Sequence, residues 1–251
     1  MYNIYSNYII GSDRMENSFL IFTLCIVPSL IIMWYIYTKD KIEKEPIYLL
    51  LILFIGGIIS AVISLSISIS LKNFFPFLNN DYSEMTPFQI FIKSFFCIAL
   101  IEEFSKWLFI FIVTWKNKNF NHMFDSIVYS VFLSLGFAAF ENILYGFSFS
   151  SYGLTPFFLR GIISVPCHAV FGVFMGYYLG IAKATQDKKK NKYIFLSLII
   201  PILLHFNYDF LLVWQNKVYY IVFIIFIIMI YILSFFKIKN LNLIKKEIKT
   251  H

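Results

Sequence analysis

Residues 88–114 read FQIFIKSFFCIALIEEFSKWLFIFIVT. A hydrocarbon core of about 30 Å is crossed by about 20 apolar residues in a helix, so this run is long enough to span a bilayer. Yet Glu102, Glu103 and Lys106 sit near its middle. One charge at the centre of a lone spanning helix costs about 2.5–3.5 kcal/mol. The segment is therefore predicted to be one helix of a bundle, with its charged face turned toward other helices.

Six further apolar runs surround it, at 18–38, 47–71, 126–147, 157–182, 193–214 and 218–236. Backbone groups in hydrocarbon must pair internally, so helices are the expected spanning element. The fold class is all-α: a polytopic bundle of about seven spans forming a single integral membrane domain over 1–251. Composition agrees. The chain is 59% hydrophobic and 14% charged, with mean hydropathy +0.75, whereas a soluble domain carries about 25% charged residues. The net charge of +7 does not point to nucleic acid, because the basic residues cluster in the connections. Lys39, Lys41, Lys44, Lys116, Lys118, Lys183, Lys188, Lys189, Lys190, Lys192, Lys237, Lys239, Lys245, Lys246 and Lys249 all fall on one side of a seven-span topology. The opposite side holds Arg14, Lys72, Lys217 and Arg160. This asymmetry places the N-terminus outside and the C-terminus in the cytoplasm. Asp13, Arg14 and Glu16 stand where a cleavable signal would be basic, so the first span is expected to remain as an anchor. Cys25, Cys97 and Cys167 lie inside apolar runs without a CxxC pair, which argues against disulfides and a thiolate metal site.

Three other spans carry ionisable groups: Glu141 in the fourth, His168 in the fifth, His205 and Asp209 in the sixth. Counting from the expected span ends at 1.5 Å per residue, Glu102, Glu141, His168 and His205 fall within about 10 Å of one another in depth. That layer lies midway or slightly toward the outer face. Lys106 follows Glu102 by four residues and Glu103 by three, so it can compensate one carboxylate and leave the other free. Asp209 lies one turn after His205 and is expected to orient that imidazole. His168, Gly172, Gly176 and Gly180 form a stripe that lets a neighbouring helix approach closely. Pro166 and Pro201 are expected to bend their helices near the two histidines. Asp125 reads as a helix N-cap, and Lys93 and Arg160 as snorkelling residues near the outer mouth.

Carboxylates and histidines at one depth suit water activation, with a Glu as general base and a His as donor to the oxyanion or the leaving amine. Two His plus a Glu, namely His168, His205 and Glu141, are also a candidate set for a divalent metal such as zinc, although no HExxH is present. The residues require no cofactor.

Four short patterns occur in order: Glu102-Glu103-Phe104-Ser105-Lys106, Phe137-Ala138-Ala139-Phe140-Glu141, His168-Ala169-Val170-Phe171-Gly172 and His205-Phe206-Asn207-Tyr208-Asp209. This ordered set over about 100–210 resembles the PrsW family of membrane proteases. A more distant likeness is to the CAAX-processing glutamic intramembrane proteases, which have EExxxR where this chain has EExxK. The resemblance implies a bacterial plasma-membrane endopeptidase that makes the first cut in a membrane-anchored anti-sigma factor. By motif position Glu102 and Glu103 would supply the base, with Glu141, His168 and His205 completing the site and Lys106, Asp209, Gly172 and Phe137 supporting it. The catalytic core would then cover about 88–214, and the spans at 18–38, 47–71 and 218–236 would be accessory. Two other classes use such a layer. A proton- or metal-coupled transporter places the same groups at mid-bilayer depth, but the chain has no internal repeat. A non-catalytic sensor or immunity protein could retain the scaffold, but the motifs are intact.

Overall fold

The computed structural model describes residues 2–149, 155–214 and 216–243. Among these, the long elements are α1 (Tyr2–Lys39), α2 (Ile47–Phe74), α3 (Pro87–Ile92), a π-helical segment (Lys93–Ala99), α4 (Leu100–Thr114), α5 (Asp125–Phe149), α6 (Thr155–Ile162), α7 (Ser164–Ala184), α8 (Lys189–Val213) and α9 (Lys217–Leu243). Six helical stretches are long and apolar enough to cross a membrane: within α1, α2 and α5, the α6–α7 pair, α8 and α9. The expected third span is also helical from 87 to 114, but it is divided. Thr86 starts it with a capping box, its Oγ1 accepting from the Gln89 amide while Gln89 Oε1 accepts from the Thr86 amide. The π turn at 93–99 then widens the helix before α4. The expected fifth span breaks at Ile163 (φ −111°, ψ −60°) into α6 and α7. Pro166, which has no amide to bond back to residue 162, sits in the first turn beyond the break.

α5 is the central helix. In its spanning portion 72% of residues are buried, against 22% for α1 and for α9, so α5 is surrounded by protein while α1 and α9 face lipid. Lipid supplies no hydrophobic force between helices, and close backbone approach takes its place. Two sets of glycines provide it. A Cβ at Gly57 of α2 would overlap the Leu133 carbonyl oxygen of α5, and one at Gly136 would overlap the Phe54 carbonyl oxygen of α2. The Gly172–Gly176–Gly180 stripe lays α7 on the other side of α5, where added Cβ atoms would meet the carbonyl oxygens of Ser130, Ser126 and Met123. Ser126 Oγ donates to the Gly176 carbonyl at 2.6 Å across this contact. α4 is tied to α8 by Trp107 Nε1 donating to Ser197 Oγ (2.8 Å) and to α2 by the Ser64–Ser105 hydroxyl pair (2.8 Å).

Asp125 departs from the expected cap. It is the first residue of α5, and its Oδ2 accepts from the amides of Asn121 (3.0 Å) and His122 (2.7 Å), upstream of the helix. It closes the preceding loop instead of the helix end. All three cysteines are free.

The glycine contacts yield a graded expectation. Gly136→Val drives a side chain into the α2 backbone and should cost about 1–3 kcal/mol or more. Gly161→Ala, whose Cβ would lie 3.1 Å from the Pro28 ring, should cost far less. Thermal unfolding in detergent micelles measures both.

Candidate active site

The sequence-derived residues arrive from four helices. α4 carries Glu102, Glu103 and Lys106; α5 carries Phe137 and Glu141; α7 carries His168 and Gly172; α8 carries His205 and Asp209. Their side chains form one connected chain of contacts. Glu141 Oε2 is 2.9 Å from His168 Nε2. His168 Nδ1 is 3.2 Å from Lys106 Nζ. Lys106 Nζ donates to Glu103 Oε1 at 2.7 Å, and the same oxygen is 2.8 Å from His205 Nδ1. His205 Nε2 then faces Asp209 Oδ2 at 3.5 Å and Glu102 Oε2 at 4.0 Å. Aromatic rings seat the chain. Phe137 lies under Lys106 Nζ (3.8 Å to the ring centroid) and Phe171 stacks on His205 (5.1 Å).

Hydrogen-bond logic assigns the protons. An ammonium has donors only, so His168 Nδ1 accepts from Lys106, and its remaining proton, on Nε2, is donated to Glu141. A carboxylate oxygen accepts, so His205 Nδ1 carries the proton given to Glu103 Oε1. Its Nε2 is the nitrogen left facing Glu102 and Asp209. The imidazole orientation expected from Asp209 is thus supplied at Nδ1 by Glu103, while Asp209 faces the other nitrogen.

Exposure divides the site into a floor and a rim. The Glu103 and Lys106 side chains are fully buried (0%), whereas those of Glu102, Glu141, Asp209 and Arg160 keep 16–22% exposure. Lys106 lies 3.9 Å from Glu102 and is committed to Glu103 at 2.7 Å. Glu102 Oε2, Glu103 Oε2 and Asp209 Oδ2 are buried atoms with no hydrogen-bond partner among the described residues.

Arg160 corrects the sequence reading. It belongs to the site and does not snorkel away: Nη2 is 3.1 Å from Glu141 Oε2, Nε donates to Asn142 Oδ1 at 2.9 Å, and the guanidinium covers the Tyr145 ring at 3.9 Å. The break at Ile163 turns α6 so that Arg160 reaches inward, and the sequence signal for it, Pro166, was visible only as a generic kink. Asn142, buried beside Glu141, is Arg160's second anchor.

Comparison with known proteins gives the family. A family model described as "PrsW family intramembrane metalloprotease" matches residues 45–234. The chain belongs to the PrsW family. It is 39% identical to Protease PrsW of Oceanobacillus iheyensis over 218 residues, covering 86% of this chain and 94% of that protein. It is 37% identical to Protease PrsW of Clostridioides difficile over 231 residues (90% and 93%), and 35% identical to that of Bacillus subtilis over 206 (80% and 87%). No solved structure matches. The protein is accordingly a multi-pass membrane peptidase. The PrsW family match begins at Glu45 and ends in α9, so it takes in α2 and most of α9 beyond the motif-bearing helices.

The family description names a metal, which this geometry can be tested against. The set expected from sequence, Glu141, His168 and His205, includes His168, whose two nitrogens are both engaged. Glu102 and Asp209 offer partnerless oxygens 4.0 and 3.5 Å from His205 Nε2, but these three donor atoms do not all come within 4.8 Å of one another, so they do not form a ready cation site.

Removing one partner of a buried ion pair costs about 3–5 kcal/mol, because the other charge is left uncompensated. Lys106→Met should therefore destabilise the protein by about that amount. Adding Glu103→Gln should restore part of the loss, read as a double-mutant cycle in detergent unfolding.

Proposed function

We propose that the protein hydrolyses a peptide bond in a membrane-anchored protein substrate, making the first cut in an anti-sigma factor, with Glu102 as the base that activates water. The observation that carries this reading is the asymmetry of the two adjacent acids. Glu103 is fully buried and its Oε1 holds Lys106 and His205 at 2.7 and 2.8 Å, whereas the Glu102 side chain keeps 16% exposure and comes no closer than 3.9 Å to either of them. A base must reach water and hold a lone pair free, and Glu102 meets both conditions.

In the reaction, Glu102 takes a proton from water as the water oxygen attacks the substrate carbonyl carbon. In this metal-free reaction His205 is protonated at both nitrogens: Nδ1 is held on Glu103, and Nε2 donates a hydrogen bond to the developing oxyanion while keeping its proton. Glu102 returns its proton to the leaving amine as the C–N bond breaks. His168 and Arg160 hold Glu141 at the rim, where that carboxylate positions the substrate backbone. The lysine asymmetry supports an orientation with the N-terminus outside, and with it a cut toward the extracytoplasmic side. The core at 88–214 performs the chemistry, and the spans at 18–38, 47–71 and 218–236 shape substrate entry.

A second reading follows the family's description and requires three side chains to close on one another. Glu102, His205 and Asp209 would hold a divalent cation, and such an ion supplies an acidified water when bound. Glu141 and His168 would then support the site from the side.

Co-expression with a tagged membrane-anchored anti-sigma factor tests the proposal. Glu102→Gln should lower cleavage by about 10²–10⁴-fold with the enzyme at normal abundance. Glu103→Gln, Glu141→Gln, His168→Ala and His205→Ala should also impair it. Full cleavage by all five variants would defeat the enzyme assignment to this site. Wild-type protein that moves ions and leaves every anti-sigma factor intact would favour transport. Chelator treatment separates the two readings: metal-free catalysis by Glu102 survives it, and activity through Glu102, His205 and Asp209 as ligands is lost until metal is restored.

A further inference from the structure

A second group of acids lies about 24 Å along α5 from Glu141, sixteen residues away at 1.5 Å per residue. Asp40 follows α1, Glu45 precedes α2, and Asp125 opens α5. Each offers an oxygen, and the three oxygens lie within 4.8 Å of one another. All three residues are buried, at 2%, 3% and 1% exposure.

Buried carboxylates normally have a cationic partner. Among the described residues, no Lys, Arg or His nitrogen comes within ion-pair distance of any of these three. Lys44 is close, but its Nζ is bound to the backbone carbonyls of Tyr37 and Asp40. His122 Nδ1 is directed to Asn121 Oδ1. The hydrogen bonds that do reach the cluster come from neutral groups: the Tyr129 hydroxyl to Glu45, and the Asn121 and His122 amides to Asp125. A proton shared between the facing Glu45 and Asp125 carboxyls would neutralise one charge of three. An independent sign of a missing ligand is Asp40 Oδ2, a buried atom with no hydrogen-bond partner among the described residues.

We propose that Asp40, Glu45 and Asp125 form a binding site for a hard divalent cation, Mg²⁺ or Ca²⁺, that clamps the ends of α1, α2 and α5 together. The donor set is all oxygen, with no sulfur or imidazole, which selects hard cations over zinc. Oxygens on opposite sides of a Ca²⁺ ion are about 4.6–5.2 Å apart, from bonds of 2.3–2.6 Å, so the observed spread needs little closure. The role is structural. Asp40 and Glu45 stand at the two ends of the α1–α2 connection and Asp125 in the first turn of α5, and the cation replaces mutual repulsion with a shared ligand at the point where α5 enters the bundle.

The test uses full-length protein in a Glu102→Gln background, which removes a carboxylate of the active site from the competition for metal. Tb³⁺ is the probe, because Tyr129 contacts Glu45 and can sensitise its emission. Saturable emission that Ca²⁺ or Mg²⁺ displaces, and that falls at least about tenfold in Asp40→Asn and in Glu45→Gln, supports the site. The unsubstituted cluster gives a measurement that does not depend on the variants folding: saturating Ca²⁺ or Mg²⁺ should raise the unfolding midpoint by about 5 °C. A midpoint unmoved by either cation, or displaceable emission that persists in both carboxamide variants, overturns the proposal and leaves the acids neutralised by protons.

Discussion

The Lys106–Glu103 ion pair is the constraint on which the rest of the site depends. Both side chains are fully buried inside the bundle, where each ion alone would carry a penalty of several kcal/mol. The pair is tolerable because the ammonium spends its donors on three surfaces at once: the Glu103 carboxylate, His168 Nδ1 and the face of Phe137. Those contacts come from α4, α7 and α5. One cation therefore fixes the charge of Glu103, the tautomer of His168 and the relative rotation of three helices.

A division of labour between the adjacent acids follows from this commitment. An i,i+3 partner and an i,i+4 partner compete for one lysine, and the shorter contact goes to Glu103. That carboxylate becomes a fixed anion on which His205 is oriented. Glu102 is left with nothing closer than 3.9 Å to any cation and with access to the rim. Chemistry that needs an uncommitted carboxylate can use only one of the two. Identical side chains one residue apart thus acquire different roles, because helical geometry points one into the dry floor and the other toward the mouth.

Much of this could be read from sequence. The seven apolar runs match helices to within a few residues at α2, α5 and α8, because hydropathy reports length directly. The glycine stripe on α7 announced a close neighbour, and α5 fills that place. What sequence could not give was set by local backbone departures. The π turn before α4 leaves no residue signature, and it ends the uniform helix that depth counting assumes. The break at Ile163 swings α6, so Arg160 reads as a mouth residue on a straight helix and as a partner of Glu141 on the real one. The spacing from His205 to Asp209 suggested an orienting pair, but a long-range contact to Glu103 took the Nδ1 proton instead, and no i,i+4 rule can anticipate a residue 102 positions away. Asp40 and Glu45 stand in a short polar connection, and only the packing of α1, α2 and α5 buries them.

The position of α5 explains why acids can be afforded at both its ends. A helix buried over most of its spanning length has little lipid-facing surface, so the stability of Asp125 and Glu141 is set mainly by neighbouring helices. Those neighbours come close because side chains were removed. At Gly172 the space for a Cβ is already occupied at 2.9 Å by the Ser130 carbonyl oxygen and the Ser134 hydroxyl. Gly172 lies one turn from His168, so the same approach that seats the glycine brings His168 Nε2 within 2.9 Å of Glu141. A larger residue there would push α7 outward, and the His168–Glu141 contact would be the first polar link to lengthen. The site's reach across helices is therefore a property of its smallest residues as much as of its charged ones.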